Sequence, residues 1–236
     1  MLSISKLNIL KAFSQRYCVL CGTLSRDDLC NPCRSQLPQI PINHCPVCLL
    51  PVKTSLVCGA CLANPPAYTR INAAFHYTFP VDALIRSLKY RSQLVIAPML
   101  ANFLIEKIDI SDPPDFIIPV PLHAIRLRER GFNQSVEIGR YISKKHNIEM
   151  LPDSCSRVRN TPSQVGLLWQ EREKNIRHAF VCKTDLSGKH VAILDDVMTS
   201  GATLNEMAKL LRQQGAAVVD GWVVARALPA TEMLFS

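Results

Sequence analysis

The sequence predicts an α/β fold in which a parallel sheet carries helices on both faces, preceded by a small cysteine-rich metal-binding module. Three observations carry that expectation. Eight of ten cysteines form four C-x-x-C pairs before residue 62 of a 236-residue chain. After Asn64-Pro65-Pro66 the pattern changes to apolar runs alternating with helical segments, as strands buried on both faces of a parallel sheet require. One of those runs, VAIL at 191–194, leads through Asp195-Asp196 into T-S-G-A-T and an amphipathic helix. In parallel sheets ligands sit at the carboxyl ends of the strands.

Composition sets the outer limits. With 48% hydrophobic and 19% charged residues the chain can bury a core, which excludes a disordered or fibrous protein. The expected division is a helix and double zinc-ribbon module over 1–66, followed by the α/β domain over 67–236. The longest apolar stretch, Leu94 to Ile105, is shorter than the about 20 residues that cross a bilayer, so no transmembrane segment is expected. MLSISKLNILKAF at the start reads as a short packing helix without a cleavage site, with a weak membrane-surface anchor as the alternative. The reading is therefore a cytoplasmic protein, with peripheral attachment at the inner membrane as the second choice. In a reducing compartment ten cysteines favour metal over disulfides.

The elements follow in order. INAAFHYTF at 71–79 reads as a strand, and Val81–Tyr90 and 94–107 as helices. FIIPV at 116–120 is a buried strand, followed by a basic helical or loop segment and a helix around 134–145. Then come a loop around 152–163, a helix near 164–175, the strand VAIL, a helix from about 202 to 214, and a strand at 217–226. Trp169 and Trp222 are read as core residues, with stacking on a base as the alternative for Trp169.

Two cysteines separated by two residues direct both sulfurs at one ion around a tight turn, and two such pairs complete the tetrahedral shell of structural zinc. The pairs are Cys18/Cys21, Cys30/Cys33, Cys45/Cys48 and Cys58/Cys61. Gly22, Pro32, Pro46 and Gly59 stand at the turns. Eight residues separate the first two pairs and nine the last two, so sequential pairing gives two compact zinc sites, while an interleaved arrangement stays open. Redox C-x-x-C chemistry is the rival, but such motifs open a helix in a thioredoxin-like unit and do not come in fours. His44 beside Cys45 is read as a solvated neighbour, and Cys155 and Cys182 as isolated free thiols.

The segment DDVMTSGAT carries the phosphate chemistry. Free amides at a helix N-terminus, beside a glycine that allows close approach, suit a phosphate, and Thr199, Ser200 and Thr203 add hydroxyls. Asp195 and Asp196 would repel a phosphate at contact distance, and so are read as acceptors for sugar hydroxyls or as support for Mg²⁺. Together these features describe a site for a ribose 5-phosphate. Neither G-x-x-x-x-G-K-[ST] nor G-x-G-x-x-G is present, which argues against a nucleoside triphosphatase or a dinucleotide enzyme.

This loop resembles the phosphoribosyl pyrophosphate (PRPP) loop of type I phosphoribosyltransferases. The order of LKY at 88–90, IPVPLH at 118–123, RLRERGFNQS at 126–135 and RNTPSQVGLLWQEREKNIRHAF at 159–180, behind a cysteine-rich module, resembles the ComF/GntX family of competence-associated proteins. The resemblance spans roughly residues 18 to 226. It implies a type I phosphoribosyltransferase-like sheet, ribose contacts from Asp195 and Asp196, and 5-phosphate contacts from Thr199, Ser200, Gly201, Ala202 and Thr203. Val120, Pro121 and the loop to His123 would approach the pyrophosphate. Arg126, Arg128, Arg130, Asn133 and Gln134 would fall in the flexible-loop region and close over an anion, and Arg157, Arg159, Thr161 and Gln164 form a second polar cluster.

Net charge is +8, concentrated as 6 Lys/Arg against 2 Asp/Glu over 1–66 and 12 against 6 over 120–183. Such fields favour a polyanion or a phosphorylated ligand. Two function classes follow. In one, the chain binds PRPP with Mg²⁺ and handles single-stranded DNA during natural transformation, alongside DNA-uptake or recombination proteins; this is the role the family resemblance implies. In the other it is an active Mg²⁺-dependent phosphoribosyltransferase of nucleotide metabolism, with Asp195 and Asp196 at the reaction centre and an acceptor that no residue constellation identifies.

Overall fold

The structure is a computed structural model that describes residues 16–54, 56–160 and 176–228. The expected helices at the N-terminus and near 164–175, together with Thr161, Gln164 and Trp169, lie outside the described residues. Compactness divides the chain between Pro38 and Gln39, whereas its change in sequence character falls at 66. The second cysteine group shares a hydrophobic cluster with the sheet, which is why the compact division comes early.

In the first unit, β1 (Arg16–Tyr17) pairs antiparallel with β2 (Leu24–Ser25), and α1 (Asn31–Ser35) follows. Pro32 stands at the start of α1, where its missing N–H removes no helical hydrogen bond. Leu29 and Leu37 are buried, and Arg16 pairs with Asp28 at 2.7 Å on the surface.

In the second unit, α2 (Gly59–Ala63) belongs to the second cysteine group and a five-stranded sheet follows. The sheet strands are β3 (Ile71–His76), β4 (Phe116–Pro119), β5 (Glu149–Met150), β8 (His190–Met198) and β9 (Val218–Arg226), in spatial order β3-β9-β8-β4-β5 and all parallel. The connecting helices are α3 (Val81–Arg91), α4 (Ile96–Ile105), α5 (Ala124–Arg130), α6 (Gln134–His146) and α7 (Ala202–Gln213). Short strands β6 (Cys155–Arg157) and β7 (Phe180–Cys182) pair antiparallel outside the main sheet.

Alternation along β8 sorts its side chains between two faces. Val191 and Ile193 join Met207, Ala208 and Leu211 of α7 in one cluster, which also takes in Cys45, Cys48 and Leu49. Leu194 points to α6, where a Cβ added to Gly139 would stand 3.0 Å from Leu194 and 2.7 Å from Met150 Sδ. Only glycine lets α6 lie this close to the sheet. Helices thus cover both faces, as expected.

Several boundaries differ from the sequence expectation. β8 does not stop before the two aspartates: Asp195, Val197 and Met198 pair with Val223, Ala225 and Arg226 of β9, so the ladder carries the strand to Met198. The basic segment after FIIPV is helical, because His123 and Gly131 delimit α5. The expected loop at 152–163 contains β6, whose sequence CSR shows no apolar run and whose partner residues lie 23 to 27 positions further along the chain. Cys155 and Cys182, read as isolated, stand directly opposite each other across β6 and β7, and burial together with Cys182 pushes the Cys155 thiol up to about 12. Trp222 is buried, as expected of a core residue.

Candidate phosphate site and zinc centres

The chain runs outward from β4 to β5 on one side and from β8 to β9 on the other, so the crevice between β4 and β8 is where the strand order reverses. Ligands of open parallel sheets occupy that crevice at the carboxyl ends of the strands. It is bounded here by Val120–His123 after β4 and by Asp195–Thr203 at the end of β8. Val120 is buried, its N–H bonds Leu194 O at 2.9 Å, and its carbonyl accepts from Asn133 Nδ2 at 3.0 Å.

The turn after β8 leads directly into the N-terminus of α7. Gly201 caps α7 with φ 80°, a left-handed conformation costly for a residue with a Cβ. The first amides of a helix lack intrahelical acceptors. The Ser200 hydroxyl accepts one of them, from Ala202, at 3.3 Å. Thr199, Ser200, Gly201, Ala202 and Thr203 line a small depression together with Asp195.

The two aspartates have different surroundings. Asp196 is 3% exposed, ion-paired with Lys89 of α3, and accepts from Gln134 Nε2 at 3.4 Å. Burial alone would raise its pKa, but the charge and hydrogen bond of Lys89 outweigh that and hold its carboxyl below the usual range. Asp195 accepts from Ser135 Oγ at 3.2 Å and from the Asp196 amide at 2.9 Å. Among the described residues it has no ion-pair partner, and burial followed by the charge of Asp196 pushes it up to about 7.

The expected clamp is partly turned inward. On helix α5 positions 126 and 130 share a face while 128 points elsewhere. Arg128 is exposed and its Nε donates to Ala124 O at 3.4 Å. Arg130 bonds Gln134 and lies 5.6 Å from the centre of the Tyr90 ring. Asn133 caps α6 through Ser135 N at 3.0 Å, and Gln134 is buried. Asn133 and Gln134 thus brace the crevice walls. Arg157 lies 5.5 Å from the Phe180 ring; burial lowers its pKa, the Arg126 charge adds to this and Asp195 opposes it. Arg159 is exposed and donates to Arg177 O.

Sequence reasoning gave no role to Lys89, Tyr90, Ser135 or Arg226. Lys89 carried a signal: it stands four residues after Ile85 and one after Leu88, both buried, so a cation intrudes beside the apolar stripe of α3.

Cys18, Cys21, Cys30 and Cys33 form one cluster and Cys45, Cys48, Cys58 and Cys61 the other, with all sulfurs in each within 4.8 Å of one another. Pairing is sequential, and the interleaved alternative is absent. Four thiolates about 2.3 Å from zinc in a tetrahedron are about 3.8 Å apart. Cys21 to Cys30 and Cys48 to Cys58 measure 3.6 Å, so both donor sets fit the ion. Saturated thiolate shells supply folding energy and leave no position open for catalysis. His44 stands outside the tetrad, with Nδ1 hydrogen-bonded to Pro41 O at 2.6 Å.

Residues 9–62 match the double zinc ribbon domain family, and residues 97–233 match the phosphoribosyl transferase domain family. The DNA utilization protein YhgH of Salmonella typhimurium is 34% identical over 221 residues, covering 89% of this chain and 97% of its own. Competence protein F of Haemophilus influenzae is 33% identical over 223 residues, covering 89% and 96%. A purine phosphoribosyltransferase structure from Pyrococcus horikoshii covers 57% of this chain and 73% of its own, at 20% identity and a TM-score of 0.33.

Proposed function

The chain belongs to the competence protein F family, in which a double zinc ribbon accompanies a phosphoribosyltransferase domain, and from that premise we propose that it binds PRPP or a related phosphosugar in the β4/β8 crevice and acts in DNA uptake and use by handling single-stranded DNA. The observation that carries the reading is the Thr199–Thr203 turn at the N-terminus of α7, set beside a carboxylate that has no ion-pair partner among the described residues, at the reversal point of the sheet.

The 5-phosphate would take the amides and hydroxyls of Thr199–Thr203, and the ribose hydroxyls would donate to Asp195. Asp196, neutralised by Lys89, holds the strand end and the start of α6 in place. Val120–His123 and Arg126 face the pyrophosphate end. Mg²⁺ accompanying the diphosphate would offset charge next to Asp195. Basic residues on the surface, Arg128 among them, supply the field that draws a polyanion. YhgH and competence protein F are named for DNA utilization and competence, which supports the DNA half of the reading.

A second reading, transfer of the phosphoribosyl group to an acceptor, is favoured by the availability of Asp195 next to an intact phosphate turn. Here the residues would position the sugar and neutralise charge.

Calorimetry with PRPP and Mg²⁺ tests the site: wild type should bind, while Asp195→Asn and Thr203→Val should bind more weakly. Equal affinities in all three would remove the crevice as the site. Release of pyrophosphate on adding candidate bases would favour the transferase reading. A transformation assay with the Asp195→Asn/Asp196→Asn variant tests whether the site serves DNA uptake.

A further inference from the structure

Arg226 closes β9 and is 1% exposed. Four of its hydrogen bonds go to main-chain carbonyls. Nε donates to Cys48 O at 2.9 Å, and Nη1 donates to Met198 O at 3.2 Å and to the carbonyls of Thr199 and Ala227. A single guanidinium therefore grips a residue of the second cysteine group and both residues at which β8 passes into the phosphate turn.

The surroundings make this grip matter. An open groove of about 580 Å³, lined by Cys61, Pro65, Tyr68, Ser200, Asn205 and Lys209, borders the turn on the side of the second cysteine group. Packing reaches the turn only at its ends, where Met198 and Ala202 join Cys45, Cys48 and Tyr68 in one cluster, and beside the groove the Arg226 hydrogen bonds add a polar connection to the same cysteine group. Four thiolates around a divalent zinc carry a formal excess of two negative charges, which attracts a nearby guanidinium. The ion also orders the knuckle that presents the Cys48 carbonyl, since metal binding and local folding are coupled. Losing the metal would release that carbonyl and leave a buried donor of Arg226 without its acceptor, a costly state in low-dielectric surroundings.

The geometry points to Arg226 as a positioning residue through which zinc at Cys45, Cys48, Cys58 and Cys61 holds the 199–203 turn in its anion-binding form, giving the second zinc site a role that the first does not share. Occupancy of that site and affinity at the turn are then linked, and each strengthens the other. The inference rests on the phosphosugar reading for its ligand but not for its structural consequence, so the test measures both.

The full chain is compared with Cys58→Ser/Cys61→Ser, with Cys21→Ser/Cys33→Ser as the control at the first site, and with Arg226→Met and Arg226→Lys. Zinc content, ribose 5-phosphate affinity by calorimetry, and ligand-free hydrogen exchange are measured for each. The second-site variant should lose one zinc, bind ribose 5-phosphate about tenfold more weakly, and exchange faster across 196–204 with α6 unchanged. The first-site variant should lose one zinc with neither of the other changes. Arg226→Met should keep both zincs yet reproduce the exchange and affinity changes, and Arg226→Lys should fall between it and wild type. If Arg226→Met fails to fold, Arg226→Lys and stepwise chelation of wild type carry the same readouts. Unchanged exchange at 196–204 on loss of the second zinc, or an equal effect from the first-site variant, would overturn the link. Failure of wild type to bind ribose 5-phosphate would instead overturn the phosphosugar reading, with the exchange data still deciding the link.

Discussion

Lys89 of α3 and Asp196 of β8 form an ion pair whose side chains are 20% and 4% exposed. The next residue, Tyr90, holds Arg130 against its ring; Arg130 bonds Gln134, and Gln134 returns to Asp196. Helix α3 thereby locks the walls of the crevice together with two consecutive side chains. This circuit explains why a strand can carry two adjacent carboxylates inside a packed domain: one is neutralised by a cation, and the other is pushed toward its protonated form by burial and by its neighbour's charge.

Removing one member of a buried pair leaves the other uncompensated. Lys89→Met should therefore cost about 3–5 kcal/mol in urea unfolding, while Lys89→Met combined with Asp196→Leu should recover most of that loss. A double variant no more stable than Lys89→Met would show that Asp196 is not the residue Lys89 neutralises.

Asp195 sets a pH dependence whose direction is determined. Its folded pKa of about 7 stands above the ordinary 3.8, so the folded chain retains a proton that the unfolded chain releases. The contribution is fully present below 3.8 and is lost as pH rises through about 7. Without divalent metal, Asp195→Asn should match wild type near pH 4 and exceed it at pH 8 by on the order of 1–3 kcal/mol. Thermal unfolding across that range checks the crossover, and the same variant should bind ribose 5-phosphate more weakly at pH 8.

Gly201 combines a φ of 80° with an ideal Cβ position 2.7 Å from Met198 Cε. Gly201→Val should destabilise by about 2 kcal/mol or more through the left-handed backbone alone. Ser200→Ala removes a cap without that strain, so it should stay within about 1 kcal/mol of wild type. Calorimetric unfolding separates the two, and both should lose affinity for a phosphosugar.

Single-stranded DNA binding should weaken steeply with salt. Each phosphate contact contributes a log–log slope of about 0.7, so Arg126→Ala/Arg128→Ala should flatten the dependence by about 1.4 if both arginines touch phosphate. Arg130→Ala should leave the slope near that of wild type, because Arg130 is engaged by Gln134 and Tyr90. Fluorescence anisotropy over a salt series reads both slopes.

Metal analysis of the reduced protein should find two zinc ions per chain. Strong chelation should expose eight titratable thiols in addition to the buried Cys155 and Cys182. Recovery of disulfides within the C-x-x-C pairs, without zinc, would contradict this.

What the sequence determined by itself was chemistry contained in short stretches. Each C-x-x-C pair makes its own knuckle, and T-S-G-A-T makes its own helix cap, because a few consecutive dihedrals and side chains suffice for either. The alternation of apolar runs and helices likewise announced a parallel sheet. Tertiary structure decided how those stretches meet. Lys89 reaches Asp196 across 107 positions, and Arg226 reaches Cys48 across 178. Both encounters depend on strand order and on the register of β8 against β9, and no local pattern encodes either. The same ladder carried β8 past its aspartates, and packing of α6 placed a buried Gln134 and a half-buried Asn133 in the crevice wall where a mobile arm was expected. Adjacent carboxylates are equivalent in sequence; burial and one distant ammonium make them different.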